Sequence, residues 1–132
     1  MFAPYFSSIR YMASRIQQDD WSDFLKAVSS DKFPSELALS QITTEQAAQD
    51  WHADRILDWD NKKCFVWSIR LKSSPEVIGQ LSLLPREHDI ALAYWVNPAL
   101  WGQGIITEVG EALIQSVYAS GYRGTIWAGT HP

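Results

Sequence analysis

The residues whose types and spacing suit chemistry lie between Tyr94 and Glu108. Gly102 and Gly104 flank Gln103 directly before a segment in which Ile106, Val109, Leu113 and Val117 recur at helical spacing. Glycines at such a place let the main chain turn tightly and approach a ligand, while the first amides of the helix, unpaired within it, point outward with the positive end of its dipole. The chemistry indicated is anion binding, above all of phosphate. Glu108 and Glu111 occupy the first turns, as the dipole favours, but their charge makes the local field less welcoming to an anion. No Gly-x-x-x-x-Gly-Lys is present, which excludes a nucleoside-triphosphate loop. The dinucleotide fingerprint fails as well, because Thr107 stands three residues after Gly104.

The elements that must position this loop follow from the flanking patterns. Ile90 to Val96 is an apolar run rich in aromatic and β-branched residues, which predicts a strand buried on both faces and ended by Asn97-Pro98. The helix after the loop is expected to stop at Ser120-Gly121, and Tyr122 to Ala128 reads as one more strand. Strand, helix and strand in one sheet form a right-handed crossover, so the last strand should lie parallel to the 90–96 strand. Before them, Phe65 to Lys72 alternates as a half-exposed strand and Val77 to Leu84 returns beside it, giving an antiparallel meander.

Nearer the start, Ser8 to Ile16 predicts a first strand. Asp19 or Asp20 then caps a helix that places Trp21, Phe24, Leu25 and Val28 on one face. Leu37 to Ile42 reads as a short extended link, and a second helix runs to about Trp59, with Thr43 as its cap and Gln46 reaching back. His52 and Arg55 lie near its apolar face, where the spacing makes them packing residues first.

The chain of 132 residues is long enough for one domain with a single core, and 46% hydrophobic against 20% charged residues excludes general disorder. A formal net charge of −4 argues against non-specific nucleic-acid binding, which needs a basic footprint, and is compatible with basic substrates. One cysteine, Cys64, excludes an internal disulfide and fits a reducing cytoplasm. With three scattered histidines it gives no metal site. No apolar run suits a signal peptide or a membrane span, so a soluble, intracellular protein is expected. The seven tryptophans are expected mostly in the core.

Taken whole, Tyr94-Trp95-Val96-Asn97-Pro98, Trp101-Gly102-Gln103-Gly104-Ile105 and Thr107-Glu108 resemble the acyl-CoA-binding motif of the GNAT superfamily of N-acetyltransferases. Trp101 places the resemblance nearer the branch that acetylates the N-terminal amine of ribosomal proteins. The resemblance implies a mixed α/β fold with a mostly antiparallel central sheet in the order β-α-α-β-β-β-α-β, and acetyl-CoA as co-substrate. Relatives commonly continue after a His-Pro like His131-Pro132 with a helix and a final hairpin, so residues 1–132 are expected to be a single domain incomplete at its C-terminus. It implies that the amides of Gly102, Gln103, Gly104, Ile105, Ile106 and Thr107 hold the pyrophosphate, with main-chain groups of Trp95, Val96 and Asn97 along the pantetheine arm. The family usually has Gly or Ala where Ile106 stands, and the branched side chain is expected to crowd the diphosphate.

The implied reaction is direct attack of a primary amine, of a protein N-terminus or a small molecule, on the thioester. A protonated amine must first lose its proton, so a base is needed. Glu87, His88 and Asp89, in the turn before the 90–96 strand, are candidates, with His88 best placed by intrinsic pKa; Tyr94 is another. Ser82 and Cys64 have no visible activating partner. The alternative is a non-catalytic CoA-binding or protein-interaction remnant of the same fold. An unpaired last strand would expose an apolar sheet edge, which predicts dimerisation or strand exchange.

Overall fold

The computed structural model describes residues 2–128. Its six strands form one sheet in sequence order: β1 (Tyr5–Ser7), β2 (Tyr11–Arg15), β3 (Phe65–Leu71), β4 (Gly79–Pro85), β5 (Asp89–Val96) and β6 (Thr125–Ala128). All neighbours are antiparallel except β5 and β6, which run parallel as the crossover predicts. Helices α1 (Trp21–Val28) and α2 (Glu45–Asp60) lie between β2 and β3 in the chain, and α3 (Ile105–Ala119) between β5 and β6. The mixed α/β class and the element order agree with the expectation, with one strand added at the start.

That addition corrects the first strand. Residues 8–10 turn the chain instead of extending it, because the Ser8 amide donates to the Tyr11 carbonyl at 2.9 Å and the Ser8 hydroxyl accepts from the Tyr11 amide at 3.3 Å. A hairpin of β1 and β2 results. The cap of α1 is also corrected. A 3-10 turn over Gln18–Asp20 precedes the helix, and the Asp20 carboxylate accepts from the Gln17 amide, the Ser68 hydroxyl and the Arg70 guanidinium rather than from α1. For α2 the cap is Thr44, whose hydroxyl accepts from the Ala47 amide at 3.1 Å, and the Gln46 amide turns to Asp50. The 38–41 stretch is a 3-10 turn, not an extended link.

The sheet is covered on two faces, and this explains two misread strands. On one face α3 buries Val109, Leu113 and Val117 against Trp67, Leu81 and Leu83. On the other, α1 and α2 bring Phe24, Val28 and Ala48 against Val77 and Trp95. Being central, β3 is therefore buried on both faces from Phe65 to Ile69, although its alternation suggested a half-exposed strand. In β5 the opposite holds: Ala93 and Tyr94 are exposed, because β6 pairs only with residues 89–92. Trp59, Trp67 and Trp95 are buried and Trp21 and Trp51 pack against the core, whereas Trp101 and Trp127 remain exposed.

Candidate functional site

Residues 93–96 of β5 pair with β4 on one side and, among the described residues, have no strand on the other. The Asn97 amide donates to Ile78 at 2.9 Å, on the β4 side of the register, so by alternation the main-chain groups of Val96 and Tyr94 face the open edge. There the sheet parts into a cleft of about 650 Å³. Its floor is β5 from Ala91 to Val96, and Trp127 of β6 stands across the gap. The cleft opens to both faces of the sheet: the loop at 100–104 and the first turn of α3 wall one side, and Phe33, Pro34 and Leu37, between α1 and α2, wall the other.

The loop is shaped residue by residue. The Asn97 side chain accepts from the Ala99 amide at 3.0 Å and closes a 3-10 turn with Pro98 at its first position. The Trp101 indole N–H then donates to the Val96 carbonyl at 3.0 Å and ties the loop to the end of β5. Gly102 and Gly104 both lie in the left-handed region, with φ of +85° and +72°, where a side chain is strained. Gly104 is the N-cap of α3, and its carbonyl accepts from the Glu108 amide at 3.1 Å. The amides of Ile105, Ile106 and Thr107 are thus the unpaired first donors of the helix.

Of the residues assigned to the cofactor from sequence, Trp95, Val96, Gly102, Gln103, Gly104, Ile105, Ile106 and Thr107 line the cleft. Asn97 does not, since its side chain caps the 3-10 turn and its amide serves β4. The Trp95 side chain points away from the gap, buried against Phe24 with its N–H donating to Gln80 at 2.9 Å. Ile106 is half-buried and packs in part on the core. Tyr94 lines the cleft and is 41% exposed.

The structure does not bring Glu87 and His88 to the same place. Their side chains are 88% and 89% exposed at the opposite end of β5. At a rise of about 3.3 Å per residue, His88 lies roughly 20 Å along the strand from Tyr94. Asp89, beside them, is engaged by Arg86 through bonds of 2.6 and 2.7 Å, which hold its carboxyl below the usual range. Among the described residues the cleft lining carries no charged side chain; Tyr94 and Thr107 supply its hydroxyls.

Charge reaches the loop from elsewhere. At the tip of the β1–β2 hairpin, Arg10 donates through Nε to Glu108 at 2.8 Å, through its amide to the same carboxylate at 2.9 Å, and through Nη2 to the Gln103 carbonyl at 3.2 Å. The Ser8 hydroxyl also donates to Glu108. These donors pull the Glu108 carboxyl down to about 2. The negative charge of Glu108 beside the loop is therefore compensated. No local pattern announces this, because the partners lie 98 and 100 residues apart.

Two further groups sit apart from the cleft. His52 is fully buried beneath the sheet and Arg55 pairs with Asp58 at 3.1 Å, so neither lines it. Burial raises the Cys64 thiol to about 11, which leaves it unreactive at neutral pH. The described residues hold no cluster of His, Cys, Asp and Glu suited to a metal, and no helix among them is long and apolar enough to cross a membrane.

Among curated proteins none matches this sequence. Solved structures match its fold. RimL, a ribosomal L7/L12 alpha-N-protein acetyltransferase solved with coenzyme A, is 18% identical over 86% of this chain and 67% of its own, with a TM-score of 0.75. The microcin C7 self-immunity acetyltransferase MccE, solved with acetyl-CoA and AMP, is 18% identical over 86% of this chain and 65% of its own, at 0.74. Mycobacterium smegmatis RimJ, solved with a CoA disulfide, is 13% identical over 97% of this chain and 68% of its own, at 0.80. The chain thus spans about two thirds of their length. The profile of the acetyltransferase (GNAT) domain covers residues 10–132, which include the parted strands, the glycine loop and α3, and the chain belongs to this family.

Proposed function

We propose that this protein transfers an acetyl group from acetyl-CoA to a primary amine of a protein N-terminus or a small molecule. The observation that carries the reading is the gap between β5 and β6, open to both faces of the sheet. It has unpaired amides on one side and the apolar wall of Phe33, Pro34 and Leu37 on the other. The pyrophosphate sits on the amides of Gly102 to Thr107, and the pantetheine arm runs along the free edge of β5 as an added strand. By the alternation of that edge, the groups it meets are those of Tyr94 and Val96. The acceptor amine enters from the other face and meets the thioester in the gap.

The amine nitrogen attacks the thioester carbon, a C–N bond forms, and the C–S bond breaks as the tetrahedral oxyanion collapses. An amide at the open edge stabilises that oxyanion. Water takes one proton from the ammonium before the attack and a second from the nitrogen after it, while the leaving thiolate gains one from the Tyr94 hydroxyl, which water then reprotonates. With no carboxylate in the described lining, catalysis rests mainly on positioning. We place the protein in the cytoplasm, consistent with its buried, unpaired Cys64. We also assign it a homodimer through the outer edge of β6.

Isothermal titration of acetyl-CoA into the protein, followed by turnover with a panel of peptides and small amines, tests the reading. The expected result is binding that is lost in a folded Gly104→Trp variant, and release of free thiol with at least one amine. Binding without turnover would leave a CoA-binding module of the same fold. No binding at millimolar ligand would remove the cofactor assignment altogether.

A further inference from the structure

We propose that Arg10 is a positioning residue for the anion-binding loop, acting by cancelling the Glu108 charge and by turning the Gln103–Gly104 peptide towards the cleft. The inference rests on the reading of that loop as the coenzyme A site. It starts from the polar contact between the hairpin tip and the first turn of α3.

Glu108 sits in the first turn of α3, beside the free amides of Ile105, Ile106 and Thr107. Held near a pKa of about 2, it is charged at any working pH. An unneutralised carboxylate about one turn from a diphosphate would repel it through a short, partly shielded path. Arg10 places a guanidinium on that carboxylate and Ser8 adds a hydroxyl donor.

The second action is geometric. In a trans peptide the carbonyl and the following N–H point in opposite directions. Nη2 of Arg10 draws the Gln103 carbonyl towards the hairpin, so the Gly104 amide is left pointing the other way, to the cleft side. Both glycines of this loop lie at positive φ, a conformation that glycine adopts without steric cost. The Arg10 side chain is 49% exposed and does not line the cleft, so it works through the loop.

The test is acetyl-CoA affinity in the whole chain for Arg10→Gln, Arg10→Lys, Glu108→Gln and the double variant Arg10→Gln/Glu108→Gln, with folding checked by circular dichroism. Arg10→Gln is expected to weaken binding about tenfold and raise KM for acetyl-CoA with little change in kcat. Arg10→Lys keeps the charge but loses the fork, and should fall between. The double variant removes the uncompensated Glu108 charge but not the loss of the bond to the Gln103 carbonyl, so it should bind more tightly than Arg10→Gln and more weakly than the wild type. Wild-type affinity in Arg10→Gln, or a double variant as weak as the single, would overturn the inference while leaving the cofactor site standing. A wild-type chain that does not bind acetyl-CoA would fail one step earlier, at the site itself.

Discussion

His52 shows how much one side chain can do away from the cleft. Its Nδ1 lies 2.9 Å from the Ala48 carbonyl, which only accepts, so that nitrogen carries the proton and Nε2 takes the Gln80 amide at 3.2 Å. The Gln80 amide also donates to Ser68, and its oxygen accepts from Trp95. Protonating Nε2 would set one donor against another among buried side chains, and turning Gln80 over would strand the Trp95 indole. Burial, which disfavours the charged ring, keeps the His52 pKa below 6.5, although the Ala48 carbonyl and Asp20 favour the charged form. The unfolded chain therefore binds a proton that the folded one refuses once pH drops below that value. Stability present at neutral pH should decline from about pH 6.5 down to the folded pKa, by at most about 1.4 kcal/mol per pH unit. Urea unfolding between pH 7 and 5 reads the slope, and His52→Phe should flatten it; an unchanged slope would mean that other groups set the acid limb. Glu108, also depressed, adds a loss in the same direction below its usual range near 4.5. The sequence placed His52 on the packed face of its helix but not in this chain of bonds, since Gln80 and Ser68 come from strands far along the chain. By contrast, the glycines, Thr107 and Tyr94 were legible, because a loop before a helix is a local pattern.

At the scale of elements, the pairing of β4 with β5 sets the open edge, and Gly79 sets that pairing. A Cβ at this position would come within 2.6 Å of the Trp95 carbonyl and 3.3 Å of Val96 Cα, both backbone atoms that cannot swing aside. Gly79→Ala should push the last pair of the ladder apart, cost about 1–3 kcal/mol and weaken acetyl-CoA binding, because Val96 lies on the cleft edge. Denaturant unfolding together with titration checks this, and a stable variant with unchanged affinity would show that the edge tolerates movement. The periodicities located all three helices and five of the six strands, because those signals are local. They missed β1, a strand of three residues with too little pattern to register. They also misjudged β3 and β5, since the number of layers covering a strand is decided by elements elsewhere in the chain.

The whole molecule ends its sheet on β6, whose outer edge has no strand partner among the described residues. Trp127 on that strand is 55% exposed, with the Arg86 guanidinium 5.4 Å from its ring centroid. An edge that shows unpaired backbone beside an aromatic surface favours pairing with another strand, and two copies related by a twofold axis can pair β6 antiparallel with both edges satisfied at once. Opposing this are two terms. The strand has four residues, so few hydrogen bonds form, and each copy carries a formal charge of −4. The expected outcome is a weak dimer whose formation rises with concentration and with salt, since screening removes the repulsion and leaves the apolar contact. Light scattering from low to high concentration, at about 50 mM and 500 mM salt, measures it. Trp127→Lys, which puts a charge on the edge, should keep the protein monomeric in both. A wild-type protein that stays monomeric at high concentration and high salt would remove the dimer, and a dimer that persists in the Lys variant would move the interface away from β6.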